Sequence, residues 1–308
     1  MTDHTRSRPL TVRTSSSPTI SPRTFGVICL LVTGIGWAFN WPSMKFLLHV
    51  WPPLFSRGLA GVLSATALAV VAHQRGESLK VPGVAVPRLL FAAFTNVFAW
   101  MGFSSLCMKW VPVGEGALLV YTMPIWTTLF AWPFLGMRPT ARGFAALLLG
   151  LAGVMVLLGG QEFAIDAGKL YGVAFALGAA VLFALGAVLN RTPLPVTPIA
   201  LTAWQVGLGC LPMVLLGLAF EHPDLGALTP AALGTFVYMT IFPMGVCYLT
   251  WFAALRRLPP AAASTAMLLV PIVGVISAAI MLGEPLGLRE VSAMILTLSG
   301  VVLALRQR

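Results

Sequence analysis

Apolar residues run almost without a break from Phe25 to Leu305, interrupted only by short clusters of proline, glycine and charged residues. A bilayer core is about 30 Å thick and a helix rises ~1.5 Å per residue, so ~20 apolar residues make one crossing. At about 28 residues per crossing and turn, the apolar region predicts ten helices. Breaks at charged or Pro/Gly turns place the first five near residues 25–44, 54–72, 88–108, 115–135 and 142–159. The second five fall near 169–190, 199–220, 231–254, 261–282 and 288–305. The expected fold class is all-α and integral to the membrane, with ten transmembrane helices.

Composition agrees with that pattern. Of 308 residues 58% are hydrophobic and only 9% charged, which does not suit a water-soluble surface. No room is left for a soluble catalytic domain. Nucleic acid is excluded as a partner because no basic stretch is long enough to fold into a reader, and the net charge of +10 must be read through the loops. Residues 1–24 are rich in Ser, Thr, Pro and Arg, the composition of a disordered tail. The apolar run after Arg23 is too long for a signal-peptide core and is expected to be a signal anchor and first span. Cys29, Cys107, Cys210 and Cys247 lie in separate apolar segments with no CxxC spacing, so they are read as small core residues. Neither a metal nor a cofactor is expected.

Lys and Arg in alternate loops set the orientation of a multi-pass chain. One side carries fourteen: Arg6, Arg8, Arg13, Arg23, Arg75, Lys80, Arg88, Arg138, Arg142, Arg191, Arg256, Arg257, Arg306 and Arg308. The other carries Lys45, Lys109, Lys169 and Arg289. Both termini are thus expected in the cytoplasm, as an even number of spans requires. An internal repeat is also visible. Laid on each other without a gap at an offset of 147, residues 111–158 and 258–305 match at thirteen of forty-eight positions, including Pro112/Pro259, Pro124/Pro271, Gly136/Gly283, Arg142/Arg289 and Gly153/Gly300. Five spans per half make the second half enter the membrane from the opposite face, so the repeat is expected to be inverted. The domains read as a tail over 1–24, a first repeat over 25–160 and a second over 169–305.

Over residues 25–305 the chain resembles the drug/metabolite transporter superfamily with two EamA-type repeats. The carriers of the resemblance are Gly36-Trp37-Ala38-Phe39-Asn40 with Lys45, Arg57 after the Pro52-Pro53 turn, and two proline-centred stretches, residues 117–136 and 264–285. Within that superfamily it is similar to the YddG-type aromatic amino acid exporters. One departure stands out: Gly283-Glu284 at the end of the ninth span becomes Gly136-Met137 in the first half. The resemblance implies an inner-membrane location, export as the direction and amino acids as the substrate class.

Candidate chemistry follows from residue types in the spans. A mid-span proline removes a backbone hydrogen bond and kinks the helix. Pro124 and Pro271, near the centres of the fourth and ninth spans, are therefore candidate hinges, with a static kink as the alternative. Gly172, Ala176, Ala180 and Ala184, and Ala146 with Gly150 and Gly153, mark close helix contacts. Polar-tipped aromatics and methionines mark a pathway among spans three, four, eight and nine. They are Trp100, Met101, Tyr121, Met123, Trp126, Met244, Tyr248, Trp251 and Met267. Trp51 and Trp110 read as interface belt residues. Tyr121, Pro124 and Thr128 share a helix face and could hydrogen-bond the polar end of an amino acid. The expected substrate-binding set is Asn40, Trp100, Met101, Tyr121, Met123, Pro124, Trp126, Thr128, Tyr248, Met267 and Pro271.

Intramembrane charge is nearly absent. All nine acidic residues lie at loops or helix ends, which disfavours a cation exporter built on a buried carboxylate. Arg57, about one turn into the second span, is the one inward candidate, as a gate or carboxylate contact, or else as a snorkelling side chain. An enzyme is not expected: the spans hold no HExxH and no carboxylate pair, and the four histidines avoid span centres. No ATP-binding motif is present. The expected partners are the lipid bilayer and a small-molecule substrate, and the expected function is export of aromatic and other large neutral amino acids by alternating access. Other neutral metabolites or drugs, or a non-transporting scaffold, are the alternatives.

Overall fold

A computed structural model of the chain describes residues 21–138, 140–158, 167–258 and 269–305. All regular structure among them is helical. In chain order the helices are α1 (Pro22–Leu47), α2 (Pro53–Gln74), α3 (Gly83–Cys107), α4 (Val113–Leu135), α5 (Ala141–Leu158), α6 (Ala167–Leu189), α7 (Pro198–Phe220), α8 (Pro230–Leu255), α9 (Leu269–Leu282) and α10 (Leu288–Leu305). Seven are long and apolar enough to cross a membrane, namely α1 to α4 and α6 to α8, and shorter apolar helices cover Ala141–Gly153 and Leu269–Leu282.

Local chemistry explains the starts and stops. Prolines open α1, α2, α7 and α8, in first-turn positions where a missing N–H costs nothing. Ser21 and Thr229 cap α1 and α8 by accepting from Thr24 N at 3.1 Å and Ala232 N at 3.2 Å. Gly136 and Gly283 end α4 and α9 in the left-handed conformation, at φ 69° and 67°. A side chain there would be strained, so glycine is the residue such a stop requires.

Helix neighbours form a regular scheme. α1 packs on α8 and α9, α6 packs on α3 and α4, α2 packs on α7, and α5 packs on α10. Adding five to each label in the first half, and subtracting five in the second, returns the same set. The α5–α10 contact repeats this at atomic detail. A Cβ on Gly153 would come 2.3 Å from Thr297 Oγ1 and 3.0 Å from the Ala293 carbonyl; one on Gly300 would come 2.8 Å from the Ala146 carbonyl and 3.0 Å from Gly150 N. Ala293 and Thr297 lie 147 residues beyond Ala146 and Gly150. Gly153→Ala is expected to push α5 off α10 and lower stability by about 1–3 kcal/mol, because backbone atoms cannot yield as a flexible side chain can. A thermal melt of the purified protein in detergent checks this, and an unchanged melting temperature refutes the contact.

α3 and α8 both contain π-helical turns, over Phe94–Phe103 and Phe242–Val246. Pro243 has no N–H to donate, which explains the wider turn in α8. Asn96, 147 residues before Pro243, lies within the π segment of α3.

Two expectations require correction. The fourth span is not one kinked helix. It is broken at Tyr121-Thr122 into α4a (Val113–Val120) and α4b (Met123–Leu135). Pro124 therefore sits in the first turn of α4b, where proline is tolerated, rather than in a helix interior. Trp51 is not a belt residue either: it is 4% exposed, packs edge-on to Phe55 and Phe236, and donates to the Asp224 carbonyl at 2.8 Å. Its indole N–H reaches a loop carbonyl, which lets the ring be buried. Trp110 is 37% exposed and stacked on Phe175. Of the predicted tail over residues 1–24, residues 1–20 lie outside the described residues, and Ser21 to Thr24 are the cap and first turn of α1.

Candidate functional site

A cavity of 480 Å³ lies inside the bundle, in the size range of small-molecule sites. Every helix except α5 contributes to its wall. Four methionines and aromatic rings make up much of its lining. Trp41, Trp100, Tyr121 and Phe183 form one flank, with Trp100 edge-on to Tyr121 at 6.0 Å and 4.6 Å from Phe183. Trp37, Tyr248 and Trp251 form the other, with Trp37 at 5.5 Å from Tyr248 and 5.8 Å from Trp251. Trp37 Nε1 donates to the Pro243 carbonyl at 2.9 Å, so the indole is fixed and α1 is tied to the π turn of α8.

Polar groups in the wall are few. Arg57, on α2, is 6% exposed, and its Nη1 donates to Asn40 Oδ1 on α1 at 2.8 Å. Its Nε has no hydrogen-bond partner. Snorkelling is therefore not what this side chain does: the guanidinium turns inward and meets the cavity instead of an interface. Asn96, Ser104, Thr202 and Gln205 supply further polar atoms, and no Asp or Glu is among the described residues that line the cavity.

One end of the cavity is sealed. Past Asn40, Met44, Arg57 and Ser104 lie side chains with no more than 1% exposure: Leu47, Met108, Val111, Val113, Leu118 and Leu119. Charge ties this end together. Glu284, after α9, accepts from Val113 N at 2.8 Å and Gly114 N at 3.1 Å, placing an anion on the positive end of α4a. Glu115 pairs with Arg289 at 2.9 Å and Lys169 at 3.3 Å, linking α4, α10 and α6. Lys45 donates to the Met108 carbonyl, joining α1 to the end of α3. Glu221 accepts from Leu54 N at 3.2 Å and Phe55 N at 2.9 Å, joining α7 to α2. At the opposite end, where α1 begins and α10 finishes, the ties among the described residues are Glu77 with Thr197, Arg88 with Thr192, Trp204 Nε1 donating to the Leu79 carbonyl at 2.9 Å, and Arg257 over the Phe25 ring at 4.8 Å. Leu201, Trp251, Phe252, Leu298 and Val301 line the cavity toward it.

Of the residues singled out in the sequence, Asn40, Arg57, Trp100, Met101, Tyr121, Met123, Pro124, Tyr248 and Pro271 come together in this wall. Trp126 and Thr128 do not. Trp126 Nε1 donates to Thr122 Oγ1 at 3.1 Å and Thr128 Oγ1 to the Pro124 carbonyl at 3.0 Å. The break at Tyr121-Thr122 interrupts the continuous stripe expected for Tyr121, Pro124 and Thr128, and the Thr128 hydroxyl is used within its own helix. Met267 lies outside the described residues. Trp41, Phe183, Thr202 and Gln205 were missed. Thr202 and Gln205 had a legible signal, two polar residues three apart on an otherwise apolar helix; Phe183 was masked by the small-residue face of α6.

The chain is similar to known proteins over most of its length. The uncharacterized transporter YvbV of Bacillus subtilis (strain 168) is 26% identical over 92% of this chain and 92% of its own. A probable amino-acid metabolite efflux pump of Salmonella typhimurium is 28% identical, over 90% of this chain and 93% of its own. One solved crystal structure matches with a TM-score of 0.64 at 20% identity, covering 90% of this chain and 96% of that one, which speaks for the fold alone. The EamA-like transporter family model matches twice, over residues 24–159 and 170–306. With apolar helices long enough to cross a membrane and a cavity at their centre, the chain belongs to the EamA-like transporter family of membrane transporters, not to an enzyme family.

Proposed function

We propose that the protein is an inner-membrane secondary carrier that exports aromatic and other large neutral amino acids by alternating access. The observation that carries this reading is the cavity: an aromatic and methionine wall around one buried arginine, closed at one end and lined to the other. Methionine adapts to side chains of several shapes, and Arg57 can meet a carboxylate. A name such as that of the Salmonella typhimurium pump points to the same substrate class. The scheme of helix neighbours, and the glycine pairs at a spacing of 147, support two inverted repeats of five spans, over residues 25–160 and 169–305. With both termini cytoplasmic, as the Lys/Arg bias argues, the sealed end faces outward and the carrier rests open to the cytoplasm.

Purified protein in liposomes loaded with one labelled amino acid tests this. Efflux of phenylalanine, tryptophan and leucine should saturate and exceed efflux of lysine and glutamate, with and without a pH gradient. Efflux equal to that of protein-free vesicles for all five would overturn the reading.

A further inference from the structure

We infer that the cavity selects for a carboxylate and makes no use of an amino group, so that aromatic carboxylic acids with a blocked or missing nitrogen are ligands of the same site. The inference rests on the proposed substrate class and refines it. A zwitterion presents two charges, and a site built for it would answer both. Here one charge is answered. Arg57 is the single charged side chain in the described wall, and no acidic residue accompanies it. The acidic groups nearest in the fold are already committed: Glu115 to Lys169 and Arg289, Glu284 and Glu221 to helix N-termini.

The guanidinium itself is unfinished. One nitrogen is held by the Asn40 side-chain oxygen, which leaves the fork oriented, while Nε is buried and without a partner. A buried donor of that kind is costly unless a ligand completes it, and a planar carboxylate is the group that matches Arg geometry. The same charge repels an ammonium in a wall of low polarity, where little water screens it. Neutral acceptors such as Gln205, Thr202 and the Tyr248 hydroxyl are available to an amide or hydroxyl as readily as to an amine. Net positive charge and an aromatic wall together describe a receptor for amphipathic monocarboxylates.

Quenching of the intrinsic tryptophan fluorescence reads binding directly, because Trp37, Trp41, Trp100 and Trp251 line the cavity. The probes are L-phenylalanine, N-acetyl-L-phenylalanine, 3-phenylpropionate, L-phenylalanine amide and 2-phenylethylamine, titrated into purified protein. The two nitrogen-blocked or nitrogen-free acids should bind within about threefold of phenylalanine or tighter, and the two amines about tenfold weaker or more, the range of a charge-assisted hydrogen bond. In Arg57→Gln that gap should close, and Arg57→Lys should keep the order of preference at lower affinity. If phenylalanine binds while both acids are excluded, the inference fails and the amino acid reading stands. Amines binding as well as acids also refutes it, on the wild-type protein alone and without any variant. If no probe binds, both fall.

Discussion

Arg57→Gln is expected to reduce phenylalanine efflux about a hundredfold, and Arg57→Lys about tenfold. Three features set these magnitudes. Arg57 is 6% exposed and lines the cavity, its Nη1 is bonded to Asn40, and its Nε is buried without a partner. A lysine keeps the charge but offers a single point, so it can hold Asn40 or a substrate carboxylate in good geometry, not both. A glutamine loses the charge, and a hydrogen bond to a charged group contributes about 1.5–3 kcal/mol, or roughly ten- to a hundredfold. Initial rates in liposomes, corrected for the amount of folded protein, check the series. Near-normal transport by Arg57→Gln refutes a substrate contact at this residue.

Much of the fold was legible because span length and turn chemistry are local properties. Pro53, Pro198 and Pro230 open helices where the sequence places turns, and Gly136 and Gly283 close them. The helix pairing was less visible. Gly153 was marked as a close-contact residue and Gly300 as its match in the repeat, yet nothing local says that each meets the other's helix. The site was partly legible for a related reason. Aromatic and methionine residues on α3, α4 and α8 stood out by type, and the wall gathers most of them. Thr128 was misplaced because a helix face was extrapolated across Tyr121-Thr122, where the helix ends and restarts, and Trp126 because it was chosen by residue type alone. Trp51 was misread because an exposed belt tryptophan and a buried one with a bonded indole have the same neighbours in sequence. The partner of Arg57 was not legible at all: Asn40 lies seventeen residues away on another helix, and only packing brings the two together.

Pro124 carries the second large effect. It begins α4b directly after the break, lines the cavity, and leaves the Val120 carbonyl without the donor a continuous helix would supply. If α4b swings against α4a when the carrier changes face, Pro124→Ala should permit a backbone bond across the break and join the two halves. Transport should fall at least tenfold while the melting temperature holds or rises, since the change adds a hydrogen bond and removes none. Pro271→Ala, on the helix 147 residues on, should bias the carrier to the opposite face. Unchanged efflux in both variants makes the prolines static shapers of the bundle. A matched loss of efflux and stability in Pro124→Ala argues for a folding role instead.

The central claim is that one cavity opens in turn to the two sides of the membrane. Single cysteines at Phe252, which lines the cavity toward the end where α1 begins, and at Leu47, fully buried at the sealed end, test it in a background lacking Cys29, Cys107, Cys210 and Cys247. A membrane-impermeant thiol reagent is applied from either side of oriented vesicles, at rest and during phenylalanine counterflow. The account predicts that Phe252→Cys reacts only from the side where α1 begins, and that Leu47→Cys is silent at rest but reacts from the opposite side during counterflow. Labelling of Leu47→Cys that stays absent while flux proceeds, or simultaneous labelling of both positions from their two sides in a resting protein, contradicts alternating access.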